Sequence, residues 1–109
     1  MTEIFTSSNH VVEVELEIDQ VTVVNPTEAT ATVRCMLGPV RCGARFDRIR
    51  DSVDAIDLAV TQILRYGRAI DELEPVHTGL VTFLGTGIQL LTSSTPSTPW
   101  QVIQGTNRP

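Results

Sequence analysis

The sequence predicts an all-β protein: a small antiparallel β-barrel of Greek-key-like order with one short helical turn. Three observations carry this prediction. Apolar and polar residues alternate strictly over long stretches, the period at which successive side chains of a strand face opposite sides. Glycine and proline punctuate those stretches at short intervals, as turns between strands require. At 109 residues the chain suffices for one domain with one apolar core.

From Val12 to Asp19, Val12, Val14, Leu16 and Ile18 fall on one face and Glu13, Glu15 and Glu17 on the other. This is a strand with a solvated acidic face. The β-branched run Val21 to Val24 ends at Asn25, Pro26 and Thr27, where proline fixes φ and short polar side chains favour a turn. A second alternation sets Ala29, Ala31, Val33 and Cys35 against Thr30, Thr32 and Arg34 until Gly38 and Pro39 interrupt it. Val40, Cys42, Ala44 and Phe46 then share a face opposite Arg41 and Arg45. The two runs predict a hairpin around Gly38, with both thiols facing the core.

Asp47 to Asp54 is charged and aperiodic and reads as an exposed loop. The stretch 52–66 has two readings. Ser52 as a cap, Val53, Ile56, Val60, Ile63 and Leu64 on one face and Gly67 as a stop describe a helix, and an α+β fold. Alternation of Ile56, Leu58 and Val60 describes a strand instead. Ala69 to Glu74 is the expected helical turn. Thr78 to Leu84 and Ile88 to Thr92 are expected strands, joined by a hairpin turn at Gly85 to Gly87. The barrel domain thus covers residues 1–92. Residues 93–99 read as a mobile Ser/Thr/Pro linker, and residues 100–109 as a closing strand and tail.

Leu37, Gly38, Val40, Arg41 and Gly43 stand in the order glycine, aliphatic, basic, glycine. This resembles a turn of domain II of elongation factor Tu and its relatives. Val60 to Ile63, Tyr66, Ile70 to Leu73 and Gly79 to Gly85 look like the second half of that domain, and Gln101 to Ile103 like its last strand. The resemblance spans roughly residues 16–103 and implies a barrel of the translation-protein type. It favours the strand reading of 52–66. In elongation factor Tu this domain holds the aminoacyl end of transfer RNA with an acid, a base and an amide. The matching positions here are Leu64, Gly67 and Thr78, which lack those groups, while Asp19 and Gln20 partly keep a further acidic pair. Pro26, Thr27 and Glu28 replace family glycines, so that loop should take another shape.

The composition narrows the functions further. With no G-x-x-x-x-G-K-[ST] and no lysine at all, this chain alone is not expected to bind GTP or to form a Schiff base. A net charge of −5 opposes general binding to phosphate backbones. Apolar runs are far shorter than the roughly 20 residues of a membrane span, and the first residues, with Glu3 among them, do not form a secretory signal. A cytoplasmic protein without membrane contact is expected. Cys35, Cys42, His10 and His77 are too few and too far apart for zinc, and a disulfide is disfavoured in a reducing cytosol. His77 lacks a nucleophile to activate, and Gly85 to Gly87 lacks the helix and lysine of a phosphate loop. No catalytic residue, metal ligand or cofactor is expected.

The features left to carry function are Arg45, Arg48, Arg50, Arg65 and Arg68, since guanidinium groups bind carboxylate or phosphate in planar, bidentate fashion. Asp47, Asp51, Asp54 and Asp57 interleave with them, favouring local ion pairs over a nucleic-acid patch. The expected function is non-catalytic binding of a protein partner, with the 47–54 loop as the docking element. The alternative is an RNA- or ribosome-associated translation accessory.

Overall fold

The computed structural model describes residues 13–107; Val12, His10 and the last two residues of the expected tail lie outside them. Nine strands follow in order: β1 (Glu13–Asn25), β2 (Glu28–Leu37), β3 (Val40–Arg41), β4 (Arg45–Ile49), β5 (Ala55–Arg65), β6 (Arg68–Ile70), β7 (Glu72–Leu73), β8 (Thr78–Thr86) and β9 (Gln101–Thr106). The main sheet has the order β4-β9-β1-β2-β8-β5-β6, and β4 also pairs with β5. That second pairing closes six strands into an antiparallel barrel, removing the edges that an open sheet would expose. The strands β3 and β7 form a separate ribbon.

Alternation builds the core as expected. Val14, Leu16 and Ile18 of β1, Ala29, Ala31, Val33 and Cys35 of β2, and Val81 and Phe83 of β8 are all buried. Phe46 and Phe83 meet edge to face across the interior, with ring centroids 6.1 Å apart.

Strand β5 settles the ambiguous stretch. Ile56, Leu58, Val60 and Ile63 are buried, whereas Val53, required on the apolar face of the helix, is fully exposed. The register with β8 slips between Val60 and Gln62, so Thr61 is an extra residue. This bulge moves the next inward position from 62 to 63, which places apolar residues at 56, 60 and 63 and imitates a helical face.

Several expectations are corrected. No hairpin forms around Gly38: both edges of β2 are occupied, by β1 and by β8, so the chain beyond Gly38 pairs elsewhere, β3 with β7 and β4 with β5 and β9. Cys42 is exposed rather than internal, because a turn at Cys42 and Gly43 separates β3 from β4. The expected loop at 47–54 begins later. Asp47, Arg48 and Ile49 belong to β4, with Ile49 buried, and a bulge between Phe46 and Arg48 hides the alternation. The helical turn lies not at Ala69–Glu74, which is extended in β6 and β7, but at Ile88–Leu90, a 3-10 turn where a strand was expected. Gly85 to Gly87 therefore leads β8 into that turn and makes no hairpin.

The Ser/Thr/Pro stretch is tied to the barrel by hydrogen bonds. Pairing of β1 with β9 stops at Ile18 and Gln101, which leaves the next residues of β1 without a neighbour on that side. Ser93 Oγ accepts from the Val21 amide at 2.8 Å, and the Ser94 amide donates to the Asp19 carbonyl at 2.7 Å. The segment thus satisfies backbone groups that would otherwise end a sheet edge unpaired.

Candidate functional site

Three strands, β1, β2 and β8, and the β5–β6 hairpin frame an open groove of about 430 Å³ lined by Asp19, Thr32, Leu64 to Gly67 and Thr78 to Leu80. Its floor follows from the sheet register. Thr32 pairs with Leu80, and Leu80 with Leu64, so three outward side chains stand in a row across β2, β8 and β5.

Asp19 forms one wall. It is held by the bulge between Ile18 and Gln20, and its carboxylate accepts from Ser94 Oγ at 3.0 Å and from Thr32 Oγ1 at 3.2 Å. The opposite wall is the turn of the β5–β6 hairpin. Arg65 pairs with Arg68, and the two residues between them, Tyr66 and Gly67, have φ of 54° and 75°. Positive φ at both central positions marks the tight turn whose twist matches a hairpin. Such a turn throws the Tyr66 ring outward: the residue is 90% exposed. The Arg65 guanidinium lies 5.0 Å from the centre of that ring and its Nη1 is 2.7 Å from His77 Nδ1. Because arginine can only donate, His77 Nδ1 is the acceptor in this contact. Arg65 Nε is enclosed with no acceptor.

The five arginines singled out by the sequence do not form one site. Arg45 pairs with Asp57 on the neighbouring strand. Arg48 is 3.1 Å from Asp47 and 4.0 Å from Glu13, and Arg50 is 3.8 Å from Glu15. Arg48 and Arg50 therefore reach the acidic outer face of β1, and Arg45 lies against β5. Exposed pairs of this kind contribute between zero and about 1 kcal/mol each. Arg65 lines the groove and Arg68 stands opposite it on the hairpin, outside the groove lining; neither has a carboxylate partner among the described residues. Sequence reasoning missed Tyr66, Thr32 and Leu80 as groove residues. Tyr66 carried the one available signal, an aromatic side chain beside a glycine in a turn.

Of the five positions that the family resemblance selected, Asp19, Leu64, Gly67 and Thr78 line this groove and Gln20 does not. Elsewhere, among the described residues, no three His, Cys, Asp or Glu side chains are placed to hold a metal ion. Cys35 is buried under the end of β2, and burial pushes its thiol above the ordinary value.

Comparison with known proteins adds the fold's relationship. No family model matches the sequence and no curated protein matches it. The structure is similar to the apo form of translation elongation factor SelB from Methanococcus maripaludis, with a TM-score of 0.67 and 10% sequence identity. The fold is a translation-factor-like barrel. The match covers 88% of this chain but only 19% of the elongation factor's chain, and at this identity it speaks for architecture alone. None of the helices in the described residues is long and apolar enough to cross a membrane.

Proposed function

We propose that this chain is a non-catalytic, cytoplasmic binding module built on the domain II plan of translational GTPases, and that it binds a protein partner in the groove beneath the β5–β6 hairpin. The carrying observation is the groove itself. It combines an apolar floor at Leu64 and Leu80, a fully presented tyrosine at the rim, and polar walls at Asp19 and Arg65. Protein interfaces concentrate their energy in such aromatic and arginine anchors around an apolar centre. The domain II assignment draws on the translation-factor-like barrel and on the convergence of Asp19, Leu64, Gly67 and Thr78. A second reading, an RNA- or ribosome-associated accessory, draws on the same likeness and is opposed by the net charge of −5.

Capture of partners by the intact tagged chain from extracts of its own cells, with Tyr66→Ala alongside, tests the proposal. A protein retained after nuclease treatment and in about 0.5 M salt, where screening removes long-range attraction, and weakened about tenfold or more by Tyr66→Ala, is the expected result. Nuclease-sensitive capture would favour the second reading. Equal capture by both forms would remove the groove as the site.

A further inference from the structure

Of the seven arginines in the described residues, Arg34, Arg41, Arg45, Arg48 and Arg50 each have a carboxylate within 4.0 Å. The two without one, Arg65 and Arg68, are directly opposite each other across the base of a two-residue turn. Opposed residues of an antiparallel pair project to the same face with Cβ atoms about 5 Å apart, and like charges there repel. Among the described residues, acidic side chains compensate the other five arginines and leave this pair without a carboxylate.

One member of the pair, Arg65, is also held in place. Arg65 Nη1 is engaged by His77 and its guanidinium lies against Tyr66, so little rotamer freedom remains to be lost when a ligand binds. Pairing of β5 with β8 stops at Leu64 and Leu80, and the Arg65–Arg68 end of the hairpin extends beyond it. Arg68, Tyr66 and Gly67 are exposed there.

We infer that the β5–β6 hairpin is a carboxylate receptor, in which Arg65 at the groove and Arg68 beside it on the exposed hairpin end together take an acidic side chain from a peptide segment of the partner that runs from the groove past the hairpin. The inference rests on the protein-binding reading above. One carboxylate placed between two guanidinium groups removes their mutual repulsion and accepts charge-assisted hydrogen bonds from both. A nucleic acid fits less well. Two arginines neutralise two phosphates, and the strand would have to pass Asp19 in the same groove and Asp71, Glu72 and Glu74 just beyond β6.

The test is nuclear magnetic resonance of the intact labelled chain titrated with a blocked peptide of alternating glutamate and leucine, its glutamine counterpart, and an oligouridylate. Saturable shifts at Tyr66, Gly67 and the Arg68 side chain with the glutamate peptide, larger than those at Arg45 and Arg48, are expected. Arg68→Gln should weaken that binding about tenfold to a hundredfold, and Arg68→Lys should restore it only in part, because an ammonium cannot make the planar bidentate contact. Both variants should melt no lower than the parent, since the position is exposed and the substitution to glutamine removes a repulsion. Equal shifts from the glutamine peptide, or shifts from the oligouridylate alone, would overturn the inference. A captured partner that is lost with Tyr66→Ala yet retained in full by Arg68→Gln would overturn it too, while leaving the groove reading intact.

Discussion

Closure of the barrel depends on one glycine at the seam between β4 and β9, and Gly105→Ala is its most direct test. Gly105 pairs with Phe46 on one side and with Val14 on the other. A methyl group built at Gly105 would lie 1.9 Å from the Arg45 carbonyl oxygen and 2.6 Å from Phe46 Cα. Both are backbone atoms, so no side-chain rotation relieves the clash. Restoring ordinary contact requires β4 to retreat by about 1 Å or more from a close-packed position. That displacement lengthens the hydrogen bonds flanking Gly105 and pulls Phe46 away from Phe83. Overpacking costs about 1–3 kcal/mol, and weakening a buried backbone hydrogen bond adds about 1–3 kcal/mol. Together they give a loss of about 4 kcal/mol, a large part of the roughly 5–15 kcal/mol that holds a domain folded.

Thermal and urea unfolding followed by far-ultraviolet circular dichroism measure this loss, expected as a fall in Tm of about 20 °C for a chain of this size. Gly67→Ala is the matched control. Nothing lies within 4 Å of a methyl group there, but φ is +75°, so the substitution carries only the left-handed penalty of about 1–2 kcal/mol. The reasoning fails if Gly105→Ala melts within a few degrees of the parent, or higher than Gly67→Ala. Either result would mean that β4 is not seated on β9.

Two further outcomes follow from burial and pairing. In the native protein a thiol reagent should label Cys42 at neutral pH and leave Cys35 untouched, because Cys35 is enclosed and its raised pKa keeps it protonated; two equivalents should react only after unfolding, and rapid double labelling of the folded chain would contradict the placement of β2. Arg45→Ala removes an exposed ion pair with Asp57 and should change the urea midpoint by no more than about 1 kcal/mol in stability; a larger loss would show that this pair holds β4 to β5.

How much of the fold was legible depended on whether a strand kept its period. Val14, Leu16 and Ile18, or Ala29 to Cys35, alternate without a break, and each of these positions is buried as read. Where a bulge adds a residue the signal fails in a definite way. At Thr61 it turns a strand into an apparent helix, and between Phe46 and Arg48 it turns a strand into an apparent loop. The mistaken hairpin at Gly38 has a different cause. A turn signal shows that the chain reverses or bends, but not whether the preceding strand still has a free edge, and β2 has none.

The site was legible in part. Arginine was the right residue type to examine, but local sequence cannot separate Arg48, whose partners include Glu13 thirty-five positions earlier in the chain, from Arg68, which has none among the described residues. Groove residues such as Thr32, Leu80 and Tyr66 are ordinary strand and turn residues until three strands bring them together.

By itself the sequence determined the predominance of strands, the apolar faces of the unbroken alternations in β1 and β2, the absence of the lysine-bearing phosphate loop, and the acidic exterior of β1, because each is a property of residues near one another in the chain. The tertiary structure alone decided which strands pair, where the barrel closes, and which arginines find a carboxylate among the described residues. Those depend on contacts between residues far apart in sequence, which a local period or a residue count cannot encode.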